Sequence, residues 1–179
     1  MNILIYYNQN NYPNIPYPSI DNPNATIKSG GCGATCAAMI IANMTGYQVD
    51  PPTIAGYAIK IGARVSGGTD MNVLAKKMCA DYGGISYKTT NDENALLSHL
   101  KSGGMAVANV GGNRQGYIGV FSDGGHYVVA AGLAADGRII ILDPGYYTGK
   151  LTVILVCVMY PFLLRIQQIE VLNIGFFQK

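Results

Sequence analysis

Charged residues are scarce in this sequence. Lysine, arginine, aspartate and glutamate make up 12% of its 179 residues, and the formal net charge is +2. That is about half the usual charged share. A near-neutral chain without clustered Lys and Arg excludes nucleic acid as the main partner, because phosphate binding needs such clusters. Uncharged polar groups must cover the surface instead, and Tyr, Asn, Gly and Ser are abundant enough to do so. Histidine is limited to His99 and His126, and cysteine to Cys32, Cys36, Cys79 and Cys157. No CxxC pair occurs, so neither a disulfide framework nor a compact zinc site is indicated. No cofactor is expected. The longest apolar run, TVILVCVMYPFLL, is about 13 residues long and contains Pro161. A membrane span needs about 20 residues, so no integral span is expected. The start, MNILIYYNQNN, has no basic region, no useful apolar run and no cleavage site. It is not a signal peptide, and cytoplasmic synthesis is the expectation.

What is present is enough apolar material, 49%, for a sizeable core in one domain. Residues 2–7 are expected as a strand. Residues 8–28, rich in Pro and Asn, are expected as an irregular ordered loop. A helix is predicted from about Cys32 to Asn43, with Gly46 as its stop. A second is predicted over Pro52–Ile61, with proline in its first turn. Thr69 or Asp70 caps a third, MNVLAKKMCADYG, and Asn91 or Asp92 starts a fourth, ENALLSHLKSGG. The period then changes. MAVANV is a strand, and HYVVAAGL and RIIILDP are strands joined by the turn AADG. The Gly-rich loop 111–125 between them could line a cleft as a lid. A helical N-terminal half followed by a β-rich C-terminal half predicts an α+β fold. Only one of 23 glycines, Gly175, lies beyond Lys150. Residues 1–150 are therefore read as the domain. Residues 151–179 are an apolar tail, either closing strands or an extension foreign to the domain.

Cys32 carries the chemistry. A cysteine attacks as thiolate, and a free thiol near pKa 8.5 supplies little at neutral pH. The start of a helix favours an anion there, and Gly30, Gly31 and Gly33 permit close approach of a substrate backbone. A proton acceptor must come from histidine. His99, within an apolar helix, is expected as a surface or half-buried residue. His126 stands where a loop meets a strand, the better position. Folding the hairpin at Ala134–Gly137 brings His126 within diagonal cross-strand reach of Asp143, which would orient the ring. For the oxyanion of acyl transfer, the Cys32 N–H is one donor. Gln9 is the preferred second, with Asn8 behind it. Cys36 and Cys79 are expected as inert core residues, and Cys157 as buried, or exposed only if the tail is foreign. Asp70, Asp123 and Asp136 are expected as cap and turn residues.

GCGATCAAM, GGHYVVAAG and IIILDPG, in that order, resemble the papain-like cysteine peptidases of the double-glycine leader peptidase type. The nearest branch is the stand-alone bacterial and phage domains. The resemblance covers about residues 3–149. It implies a papain-like fold, a helical N-terminal half packed on a C-terminal antiparallel sheet. It places nucleophile, base, orienting carboxylate and oxyanion glutamine on Cys32, His126, Asp143 and Gln9. The Gln9–Cys32 spacing is long, as in the stand-alone branch, and the tail after Lys150 departs from the family's usual close. The implied reaction is peptide hydrolysis through a thioester, on peptidoglycan peptides or a small secreted peptide, with action at the cell wall after release. Two alternatives use the same fold: a non-catalytic recognition module, and an acyl transferase using the same triad. Nothing in the sequence speaks to oligomeric state.

Overall fold

A computed structural model describes residues 3–113, 115, 119, 121–147, 155–156 and 171–179. Helices α1 (Ile27–Gly30) and α2 (Cys32–Thr45) run nearly end to end across Gly31. They are followed by α3 (Pro51–Lys60), the two-residue strands β1 (Arg64–Val65) and β2 (Gly68–Thr69), and α4 (Met71–Tyr82). Then come β3 (Ser86–Thr90), α5 (Glu93–Lys101), β4 (Met105–Val110), β5 (His126–Leu133), β6 (Ile139–Leu142), β7 (Leu155–Val156) and β8 (Val171–Gln178). Among the described residues, the main sheet is antiparallel throughout, in the order β3-β8-β4-β5-β6-β7. The architecture is α+β, with helices packed on an antiparallel sheet. No helix among the described residues is long and apolar enough to cross a membrane.

Local chemistry sets the helix ends. Asp50 accepts from the Thr53 N–H and admits Pro51 and Pro52 to the first turn of α3. Asp70, not Thr69, caps α4 by accepting from the Asn72 and Val73 N–H groups. Asp92, not Asn91, caps α5. Gly46 ends α2 at φ 78°, a left-handed conformation that glycine adopts without strain. Almost every residue of α2 is buried, which explains an apolar character on all its faces.

The sheet has a core on each side. Val107, Val129 and Phe177 pack with α2, α3 and α4 on one face. Ala106, Val128 and Phe176 pack with Leu96 and Leu100 of α5 on the other. Successive residues of one strand thus serve opposite layers, as a pleated strand requires. Strand β8, from the segment read as a tail, lies between β3 and β4.

Three expectations are corrected. Residues 3–7 form no strand: Ile5 donates its N–H to Asn43 Oδ1 at 2.8 Å, and Asn43 Nδ2 donates to Ile5 O at 2.8 Å. A helix side chain satisfies the main chain that a neighbouring strand would otherwise pair. The irregular loop 8–28 holds a 3-10 turn at Gln9–Asn11 and the first residues of α1. His99 is buried rather than near the surface. Its ring stacks on Phe176 at 4.4 Å, and its Nε2–H is shared between Met105 O at 3.0 Å and Phe177 O at 2.9 Å. It therefore ties α5 to β4 and β8. Within TVILVCVMYPFLL only Leu155 and Val156 are described; the readings of Cys157 and Pro161 lie outside the described residues.

Phe177 is fully buried at the meeting of β8 with the helical layer. Phe177→Ala is expected to cost about 3–5 kcal/mol of folding stability, seen as a lower urea midpoint with little change in slope.

Candidate active site

Cys32 opens α2, and α2 packs on β5. The first residue of β5 is His126, so sequence-distant segments meet at their ends. The sulfur of Cys32 is approached by the His126 imidazole and by the main-chain N–H groups of Tyr127 and Gly33. His126 Nε2–H donates to Asp143 Oδ1 at 2.8 Å, which leaves Nδ1 for the sulfur. His126 is 7% exposed, so this pairing lies in a mostly dry environment.

Burial alone would push the Cys32 thiol up. The hydrogen bond and charge of His126, with the two main-chain donors, overcome it and hold the thiol below its ordinary value. Burial alone would lower the His126 pKa. The hydrogen bonds to Asp143 and Cys32 and the negative charges beyond them outweigh it, and the imidazole is pushed up to about 9. Each group favours the charged form of the other, so the site supports a thiolate–imidazolium pair. Cys36, one turn further along α2, is pushed well up by burial, and Cys79 is also raised by burial. Both are free thiols with little thiolate character.

The hairpin explains how Asp143 reaches His126. Val129 faces Leu142 and Ala130 faces Ile141, the pairing that a turn at Ala134–Gly137 implies. A bulge beyond Ala130 absorbs one residue nearer the turn, so the strand ends stay in register. Asp143 then stands diagonally across from His126. Its Oδ1 also accepts the Gly145 N–H at 2.8 Å. A Cβ on Gly145 would come within 3.1 Å of His126 Cε1 and 3.4 Å of Asp143 Oδ1, so glycine suits this position.

The N-terminal segment clasps the turn that follows Asp143. Tyr6 Oη donates to Asp143 O at 2.8 Å, and the Gln9 N–H donates to Pro144 O at 2.8 Å. Asn8 Nδ2 and Asn10 Nδ2 both donate to Tyr146 O, at 2.7 and 3.1 Å. Sequence reasoning missed this role of Tyr6, Asn8 and Asn10. The density of asparagine in residues 8–14 was the available signal.

Gln9 lines the cleft with Cys32 and His126, whereas Asn8 does not. Gln9 Nε2 donates one N–H to Lys28 O at 2.7 Å. Lys28 O is the acceptor that a continuous helix would offer to the Cys32 N–H. The chain breaks helical pairing at Gly31, and the Cys32 N–H has no main-chain acceptor among the described residues. A second Nε2–H of Gln9 is likewise uncommitted among them. The arrangement can therefore offer two donors to an anion beside the sulfur. Gly119, Phe121, Ser122, Asp123 and Gly125 line the same cleft; the lid reading of loop 111–125 lies in part outside the described residues. Asp70 is a cap. Asp123 holds Asn113 at 2.8 Å and Asp136 pairs with Arg138, as turn residues do.

The model of the Peptidase_C39 like family matches residues 3–155. Among solved structures, a protein from Bacillus anthracis named as a C39-like peptidase matches with a TM-score of 0.59 at 15% identity. The match covers 98% of this chain and 94% of that one. At that identity the likeness is one of fold. No curated protein matches this chain significantly.

Asp143 holds the His126 pKa up, so Asp143→Asn is expected to bring it down from about 9 and to weaken the imidazolium beside Cys32. The thiol pKa then rises. Alkylation of Cys32 by iodoacetamide, followed by mass spectrometry from pH 5 to 8, should shift to higher pH and slow about ten-fold per unit of thiol pKa on the acid side.

Proposed function

Because the chain belongs to the Peptidase_C39 like family, we propose that it is a cysteine peptidase in which Cys32 is the nucleophile, His126 the general acid and base, Asp143 the orienting carboxylate and Gln9 an oxyanion donor. The reading is carried by one observation. The Cys32 sulfur meets an imidazole whose other nitrogen is held by a carboxylate at 2.8 Å, inside a cleft.

In the proposed reaction, the Cys32 thiolate attacks a peptide carbonyl, and the negative charge moves to its oxygen. The Cys32 N–H and the free Nε2–H of Gln9 stabilise that oxyanion. His126 Nδ1–H passes its proton to the leaving amine as the C–N bond breaks, and a thioester remains. Water then attacks the thioester while Nδ1 takes its proton. The thiolate leaves, and the acid product and the imidazolium–thiolate pair are restored. Asp143 keeps Nε2–H directed away from the sulfur and favours the cationic ring throughout.

We place the enzyme with the stand-alone bacterial or phage branch of the double-glycine leader peptidase type, on the motifs GCGATCAAM, GGHYVVAAG and IIILDPG. Peptidoglycan peptides or a small secreted peptide are the proposed substrates, with action at the cell wall after release. The chemistry falls within residues 1–150. Residues 151–179 are proposed to supply closing strands, since β8 pairs with both β3 and β4.

Incubation with purified sacculi and, separately, with a Gly-Gly leader peptide tests the proposal. Wild type should release new amino termini from one of them, and Cys32→Ala should release none while unfolding at the same urea concentration. Turnover by Cys32→Ala would defeat the proposal. Gln9→Ala should lower kcat by about 10²- to 10³-fold, with Cys32 alkylation much less affected.

A further inference from the structure

The cleft continues on both sides of Cys32 and His126. One limb, of about 510 Å3, is bounded by Ser29, Gly30, Arg64, Asp123 and Tyr147. The other, of about 470 Å3, is bounded by Met71, Tyr87, Val107, Asn109 and Tyr127. The first contains a cation that no catalytic step uses.

Arg64, on β1, is half-buried and firmly held. Its guanidinium lies over the Tyr17 ring, 4.4 Å from the centroid. Nε donates to Tyr17 O at 3.0 Å, and Nη1 donates to Val65 O at 2.8 Å and Gly68 O at 2.7 Å. Tyr17 is itself fully buried, and its hydroxyl hydrogen-bonds Thr69 Oγ1 at 2.7 Å. Thr69 in turn presses on Gly33 so closely that a Cβ there would meet it at 2.6 Å. Packed contacts thus fix the guanidinium relative to the helix start that carries Cys32.

A guanidinium has five N–H donors. Three go to main-chain carbonyls. The two on Nη2 have no acceptor among the described residues, and no carboxylate among them pairs with Arg64. Nη2 stands 3.2 Å from where a Cβ on Gly30 would be, two residues before the nucleophile. The absence of a side chain at Gly30 therefore leaves Nη2 open to the cleft. Asp123, which also bounds this limb, accepts from Asn113 at 2.8 Å. A half-buried cation with no carboxylate partner among the described residues is costly, and a ligand carboxylate would offset that cost with charge-assisted hydrogen bonds.

On the peptidase reading above, we propose that Arg64 determines substrate choice and that the preferred peptide carries a carboxylate within a few residues of the scissile bond. Its source is either an acidic side chain or a terminal carboxylate. Arg64 acts by binding and takes no part in proton transfer.

The test compares paired peptides with wild type and Arg64→Gln. One pair has Glu against Gln near the scissile bond under an amidated C-terminus, and the other has a free acid against an amide. Wild type should favour the carboxylate member of one pair by about 10- to 100-fold in kcat/KM, which identifies the source. Arg64→Gln should bring that ratio near one, and Arg64→Lys should leave it between the two. A structural role for Arg64 would lower both members together. In parallel, Cys32 is alkylated with iodoacetate and with iodoacetamide, and their rate ratio should fall in Arg64→Gln. A ratio that falls while no peptide is cleaved would sink the peptidase reading and leave the carboxylate site standing. Cleavage with no carboxylate preference in wild type, or with the preference intact in Arg64→Gln, would overturn the proposal. If Arg64→Gln does not fold, the wild-type peptide ratios decide.

Discussion

The hydrogen bond from His126 to Asp143 is the constraint on which the site depends. A thiolate in a mostly dry cleft is unfavourable unless a cation stands beside it. The cation here is an imidazolium, which needs a carboxylate behind it to persist against its own burial. Removing either anion makes the imidazolium harder to keep, and removing the imidazolium leaves two anions without their cation. The structure therefore has to hold three segments together: the start of α2, the start of β5 and the residue after β6.

Each segment is secured by a different kind of force. Hydrophobic burial sets α2 against the sheet, with almost all of the helix out of solvent. Backbone pairing across the β5–β6 hairpin sets the diagonal between His126 and Asp143. Polar contacts from residues 6–10 then fix the turn after Asp143, and from the same short segment Gln9 reaches into the cleft. One stretch of chain therefore couples the orientation of the carboxylate to the position of the proposed oxyanion donor. A disturbance in either is expected to be felt in both.

Much of this was legible in the sequence because it is local. The caps of α4 and α5, each narrowed to two adjacent residues that include Asp70 and Asp92, the stop at Gly46 and the AADG turn are short-range signals, and each acts within a few residues. The AADG turn predicts the diagonal between His126 and Asp143, and the bulge beyond Ala130, which no sequence signal marks, restores the register it implies. The illegible parts are nonlocal. Strand β8 pairs with β4 across more than sixty residues, and no pattern in its sequence names that partner. His99 looked like an ordinary helix residue because its two acceptors, Met105 O and Phe177 O, come from other strands. Residues 3–7 have strand-like composition, yet Asn43 satisfies Ile5 in place of a strand. Arg64 has no sequence signal at all. Only the folded loop reveals that three of its donors are used and two are not.

The most direct measurement is a nitrogen-15 NMR titration of the imidazoles. Only two histidines contribute, so the His126 signals can be assigned with a single substitution. The ring should keep its Nε2 proton throughout and lose the Nδ1 proton near pH 9. Blocking or removing the Cys32 sulfur should lower that value, because the thiolate helps to hold it up. A His126 ring that titrates near 6.5, like a free imidazole, and does not respond to Cys32 would contradict the account.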